Sequence, residues 1–293
     1  MRIADTRVLT LMPLPAAFAK ALRTRIVGEV RGAINGTAAP PKPINPYDRP
    51  GYFPEGSVIR RVHGDPTAML IGGVTALLLQ MLHPKVLAGV WDHSNFRADM
   101  RGRLHRTARF IAVTTYGARE DADAIVARVN QIHRVVAGTL PDGTPYRADD
   151  PHLLAWVHVS ESIAFLAAWQ RYGRTPLTPA EQDVYFAEFA ILAEKLGTDP
   201  APRTRVEADA LVTAMRPELR VDYRTREVAR FVLDQPAPSR AAAPVQALTF
   251  QAAVDLLPPW AQAMHGVGVG AKAPLIRTGA RSVAGAVRWA FGS

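Results

Sequence analysis

The chain has 293 residues, 48% of them hydrophobic, enough to bury a substantial core, which excludes a disordered segment and a mini-protein. Cysteine is absent, so disulfides, thiolate-bound zinc, iron–sulfur clusters, cysteine nucleophiles and covalent c-type haem attachment are excluded as well. The formal net charge of +9 rests on arginine, since only five of the 35 basic residues are lysines, and it is scattered along the chain with no single stripe or reading helix, which argues against a nucleic-acid partner.

At the N-terminus Arg2 and Arg7 flank an apolar stretch from Val8 to Phe18, and Ala17-Phe18-Ala19 has the look of a cleavage site. Asp5, Pro13 and Pro15 argue against export, so a cytoplasmic protein is expected. Prolines 40, 41, 43, 46, 50 and 54 predict an extended surface arm, dividing the chain into an N-terminal helix with its arm (1–55) and a helical main domain (56–293). A short extended piece is expected around Val58 to Val62. Asp65-Pro66 then spells a helix start. The longest apolar run, Ala68 to Leu82, is broken by Gly72, Gly73 and Gln80 and is shorter than the roughly 20 residues of a spanning helix, so it reads as a buried core helix.

Further along, Asp150-Pro151 and Thr178-Pro179 repeat the start signal, the latter with Glu181 completing a capping box and Gly197 closing the helix. A proline cluster at 236, 238 and 244 precedes what reads as the final helical region, Val245 to Leu257, ended by Pro258-Pro259. No alternating strands or Asn-Gly hairpins stand out elsewhere. The expected class is all-α, a single globular helical domain.

Several side chains on this scaffold could carry chemistry. At about 100° per residue, Arg103, Arg106, Thr107, Phe110 and Thr114 share an arc of one helix face, which is either a solvated basic face or a polar site beside apolar neighbours. A helix expected from Glu120 to Ala137 carries His133 at the centre of a stripe of Ala122, Val126, Val129, Val136 and Ala137. An isolated histidine on such a stripe is commonly a hydrogen-bonded core residue. His158 competes with it, on a face with Leu154, Ser162, Phe165 and Trp169, where Glu161 could orient its ring. His83 and His93 are expected to cap carbonyls around Pro84, and His63, His105, His152 and His265 read as polar or turn positions, with no His-x-x-x-His pair. Gly72-Gly73 costs about 1 kcal/mol per glycine inside a helix, which the close approach of another helix or a flat ligand would justify. Rossmann, P-loop and nucleophile-elbow motifs are missing.

Taken together, Gln80-Met81-Leu82-His83-Pro84, Asp92-His93-Ser94, Arg103-Leu104-His105-Arg106-Thr107, Gly117, Ile132-His133 and Asp142 to Pro151 resemble the DUF2236 family. This is the group of MpaB-type oxygenases that includes the catalytic domain of rubber oxygenase, the latex-clearing protein, and the resemblance runs from about Val62 to beyond Gly197. It implies a globin-like helical core and a haem b (iron protoporphyrin IX) with His133 as iron ligand. It further implies chemistry with dioxygen or peroxide on a small apolar substrate. Arg103, Arg106 and Thr107 fall where the latex-clearing branch has a distal Arg-x-x-Lys-Thr segment. Gly72, Gly73, Phe110, Thr114, Val129 and His158 are then candidates for contact with the cofactor.

The chain departs from that branch in three ways. Its distal lysine is Arg106, which stays charged and is a poor iron ligand. Asn130 and Ala137 stand where arginines flank the ligand histidine. Asp92 and Asp99 are the nearest acids where a catalytic glutamate lies upstream, so polyisoprene is not the expected substrate. The contrasting expectation is a helical carrier without haem, clamping the acidic head of a lipid-like ligand with the same arginines.

Overall fold

Three of the expected helix starts rest on local capping chemistry. In the computed structural model, which describes residues 16–35, 44–45 and 47–292, the Asp65 carboxylate accepts from the Ala68 amide and the Asp150 carboxylate from the His152 amide. Thr178 and Glu181 form the reciprocal capping box. Each side chain satisfies amides that the first helical turn leaves free, and each is followed by a proline that has no amide to satisfy.

In chain order the helices are α1 (Ala16–Asn35), α2 (Val58–His63), α3 (Pro66–Gln80), α4 (Pro84–His93), α5 (Phe96–Tyr116) and α6 (Arg119–Val135). A two-stranded antiparallel sheet follows, β1 (Ala137–Thr139) and β2 (Pro145–Arg147), with Gly138 opposite Tyr146. Then come α7 (Pro151–Tyr172), α8 (Pro179–Lys195), α9 (Arg205–Met215), a 3₁₀ turn (Arg216–Glu218), α10 (Tyr223–Leu233), α11 (Ala243–Leu256), α12 (Pro259–His265), a second 3₁₀ turn (Gly270–Lys272) and α13 (Ala273–Phe291). The protein is all-α, as expected.

The core is built on α3 against α7, and both helices are apolar on nearly every side, as helices enclosed by others must be. Gly72 makes their approach possible. A Cβ there would lie 2.9 Å from Phe165 Cδ1 and 3.1 Å from the Ala164 carbonyl oxygen, whereas one on Gly73 would meet Phe165 only at 3.8 Å. Of the two justifications for the glycine pair, helix approach operates at Gly72. Helices α11 and α13 pack on the outer side of α3, α8 and α9 on α7, and α1 lies along α13 and α5.

Three expectations are corrected. The segment Val58 to Val62 is helical, because the Glu188 carboxylate on α8 accepts from the amides of Val58 and Ile59 (3.4 and 2.7 Å), capping α2 from 130 residues away. The helix expected to reach Ala137 stops at Val135, where the Val136 amide folds back on the His133 carbonyl and Ala137 enters the sheet. Pro258-Pro259 does end α11, yet Pro259 opens α12 and α13 follows. Asp255 fastens α13, taking two bonds from Arg277 (2.8 and 2.9 Å) and one from Arg171 (2.9 Å), while Arg288 reaches Asp65 at 2.7 Å. The proline-rich arm falls partly outside the described residues.

The glycine pair gives opposite expectations for one substitution. Gly72→Ala should destabilise the protein by about 1–3 kcal/mol through overpacking against Phe165. Gly73→Ala should be neutral or stabilising by up to about 1 kcal/mol through helix propensity. Denaturant unfolding of both variants checks this, and equal effects would contradict the role given to Gly72.

Candidate functional site

The arginine-bearing helix α5 is broken near its start, at Asp99 (φ −142°, ψ 59°). The exposed Asp99 carboxylate turns toward the following segment to accept from the Gly102 amide (2.8 Å) and from Arg106 Nη1 (3.1 Å), and these bonds, the amide first, hold it below the usual carboxylate range. It thereby caps a new helical segment whose first turns carry Arg103, Arg106 and Thr107.

The arc lies wholly beyond the break, and its members differ in burial. Arg106 is exposed and paired with Asp99, and Thr107 is exposed with its hydroxyl donating to the Arg103 carbonyl (3.2 Å). Arg103 is half-buried and donates Nη1 to Ser94 Oγ at 3.0 Å; burial, helped by the charge of Arg106, lowers its pKa. Phe110 packs against the core, and Thr114 is fully enclosed, its hydroxyl satisfied by the Phe110 carbonyl at 2.9 Å.

Gly117 and Ala118 join α5 to α6, and the two helices pack together. Arg103 lies 14 residues before Gly117 and His133 16 after it, so both stand far out on their arms, at comparable distances from the turn. Ile111 to Thr115 and Ala122 to Val126 include the buried positions near the turn, whereas Val129 and His133 are half-buried. His133 Nδ1 is itself buried and has no hydrogen-bond partner. Burial holds this imidazole below its ordinary pKa, against an upward pull from Asp149. A groove of about 520 Å³ lined by Lys85, Tyr146, Arg147 and Asp149 runs past that carboxylate.

The Asp92-His93-Ser94 segment ties these parts together. Tyr146 donates to Asp92 at 2.5 Å and lies 3.3 Å from His93 Nε2, and Gly138 leaves room for its ring, while Ser94 holds Arg103. His93 therefore meets a phenol on the sheet instead of capping helix carbonyls.

His158 is buried, edge-on to Phe189 with ring centroids 4.8 Å apart, and its Nε2 has no partner. Desolvation pulls its pKa down to about 4. Glu161 takes the Gln80 amide at 3.3 Å, and burial pushes its carboxyl up to about 7. Sequence reasoning missed His63, placing it in a polar or turn setting. It is buried among Phe165, Tyr185 and Phe189, with Nδ1 2.9 Å from Thr115 Oγ1, and burial pulls its pKa down to about 3. Its signal was available, since Ile59, Val62 and His63 share a helix face once the segment is read as helical.

Over residues 60–289 the sequence matches the family described as ER-bound oxygenase mpaB/B'/rubber oxygenase, catalytic domain. The chain belongs to this family. It is accordingly an oxygenase domain of the mpaB/rubber oxygenase type, acting on a substrate with dioxygen. No curated protein and no solved structure matches it. Among the described residues of this oxygenase domain no single helix is long and apolar enough to cross a membrane, and α3 and α4, which satisfy length and composition jointly, are bent by 104°.

The buried ionisable groups set a pH dependence with opposing parts. His63 and His158 stay neutral in the fold, so their contribution is whole above about pH 6.5 and falls on acidification by up to about 1.4 kcal/mol per pH unit each, down to about pH 3 for His63 and about pH 4 for His158. Glu161, raised in the fold, favours folding below about pH 4.5 and loses that contribution as pH rises through 7. His158→Phe should flatten the stability profile between pH 4.5 and 6.5, and Glu161→Gln should steepen it. Denaturant midpoints across this range test both signs.

Proposed function

We propose that this oxygenase works with a haem b, held through His133 on α6, and acts with dioxygen or peroxide on a small apolar molecule. The observation that carries the reading is the buried, unpartnered Nδ1 of His133 on a ring that burial keeps neutral. A neutral imidazole offers a lone pair to iron, and a buried polar atom without a partner is a cost that a fold ordinarily avoids. The residues present suit this group. With no cysteine in the chain, imidazole is the natural iron ligand, and attachment is non-covalent. The core implied by the resemblance is globin-like, and α5 and α6 would supply the residues that hold the cofactor.

Bound there, the haem supplies the redox chemistry of oxygen activation. The protein supplies position and charge. Arg103 donates to a neutral hydroxyl, so that bond leaves its charge uncancelled and suited to a propionate. Arg106 and Thr107 would serve as further donors to the bound group, each by exchanging its present acceptor, Asp99 or the Arg103 carbonyl. Phe110, Thr114 and Val129 contribute walls on α5 and α6, and Gly73 leaves more open space than Gly72. His158 is the rival ligand, because its Nε2 is also unpartnered.

Protein expressed with a haem precursor should show a Soret band that shifts on dithionite reduction and again with carbon monoxide. His133→Ala should lower haem content at least about tenfold, and Arg103→Ala should weaken retention by roughly 1–2 kcal/mol. His158→Phe should keep the spectrum. The reverse pattern would transfer the ligand to His158, and a colourless wild type that ignores added haemin would favour the carrier of lipid-like acids.

A further inference from the structure

Three residues from distant parts of the chain meet outside the α5–α6 region. His83 stands at the junction of α3 and α4, His152 in the first turn of α7, and Glu218 on the 3₁₀ turn after α9. His83 Nε2 lies 3.3 Å from Glu218 Oε2, and His152 Nε2 lies 2.8 Å from Oε1 and 3.1 Å from Oε2. One ligand atom from each residue falls within 4.8 Å of the other two.

We propose that His83, His152 and Glu218 form a binding site for a divalent transition metal, best suited to zinc. Donor atoms on a tetrahedral zinc with bonds of about 2.0–2.1 Å stand about 3.3–3.4 Å apart. The 3.1 and 3.3 Å edges from Oε2 to the two imidazole nitrogens are close to that spacing, and 3.3 Å is long for a hydrogen bond. Two imidazoles and one carboxylate make a borderline donor set that suits zinc and leaves a position for water. His83 Nδ1 is buried without a partner, so whatever fixes this ring acts through Nε2.

The backbone prepares the cluster before any ion arrives. Each candidate ligand adjoins a proline: His83-Pro84, Pro151-His152 and Pro217-Glu218. The Arg220 amide donates to the Leu82 carbonyl at 2.8 Å, fastening the Glu218 segment to the corner that carries His83. Little ordering entropy is left for binding to overcome. A metal here would staple the start of α7 to the α3–α4 corner and the turn after α9, segments separated by 66 to 69 residues.

The test uses the full chain, stripped with chelator and titrated with zinc by calorimetry, with cobalt as the optical probe. One equivalent of zinc should bind, cobalt should give the visible absorption of a tetrahedral site, and zinc should raise Tm by a few degrees. His152→Gln, at an exposed position, and Glu218→Gln should each weaken zinc binding at least tenfold and abolish the Tm shift. His133→Ala should bind zinc as the wild type does, and His152→Gln should keep its haem content, which separates this site from the haem reading. Absence of stoichiometric zinc binding, or equal affinity in the wild type and His152→Gln, would overturn the proposal. Loss of zinc binding in His133→Ala with retention in His152→Gln would overturn it too.

Discussion

The approach of α3 to α7 at Gly72 is the contact on which the rest of the molecule is hung. Phe165 fits over the missing side chain, and the same ring faces His63 at 5.4 Å and stacks on Phe189 at 6.5 Å. Phe189 in turn touches His158. A side chain at position 72 would push α7 outward and with it the aromatic walls around two buried histidines. Near its other end α3 keeps α7 in register through polar bonds, with Trp156 Nε1 donating to the Gln80 carbonyl and the Gln80 amide donating to Glu161.

That enclosed interior dictates how charge is distributed. His63 and His158 are neutral inside because burial disfavours the imidazolium. The arginine-rich composition is spent at the periphery. Asp255 and Asp65, both buried, are bonded by Arg171, Arg277 and Arg288, so guanidiniums with fixed fork geometry clamp α13 to the α3–α7 pair. The excess of arginine over lysine is in this part of the molecule a packing device, because a planar donor can serve a carboxylate and a backbone carbonyl together, as Arg288 does with Asp65 and Tyr172.

How far the sequence could be read follows from the range of each interaction. Asp65, Asp150 and Thr178 cap amides within three residues of themselves, so those helix starts were legible, as were the enclosed α3 and the family motifs. Helix α2 was not, because its cap is Glu188 on another helix, and His63 was lost with it. Helix α13 was hidden for a similar reason, since Asp255 and Asp65 lie far from the arginines they hold. At the site, the helical wheel put Arg103, Arg106, Thr107, Phe110 and Thr114 on one arc, whereas Arg106 and Thr107 are exposed and Thr114 is enclosed. A wheel gives direction around the axis and not how far along it neighbouring helices cover the face, so burial along the arc was not legible.

The break at Asp99 also gives Arg106 its partner. Asp99 starts the second segment of α5 and directs its carboxylate at the guanidinium of Arg106, seven residues on, which is always charged and reaches it at 3.1 Å near the surface. A lysine there would offer a single flexible point charge, whereas the guanidinium presents a planar fork to the carboxylate that starts its helical segment. Arg103, one turn away, has a neutral hydroxyl as its partner and less access to water. The two arginines of a single sequence motif therefore differ in what holds them: Arg106 pairs with the acid that starts its helical segment, and Arg103 is bonded to a neutral hydroxyl.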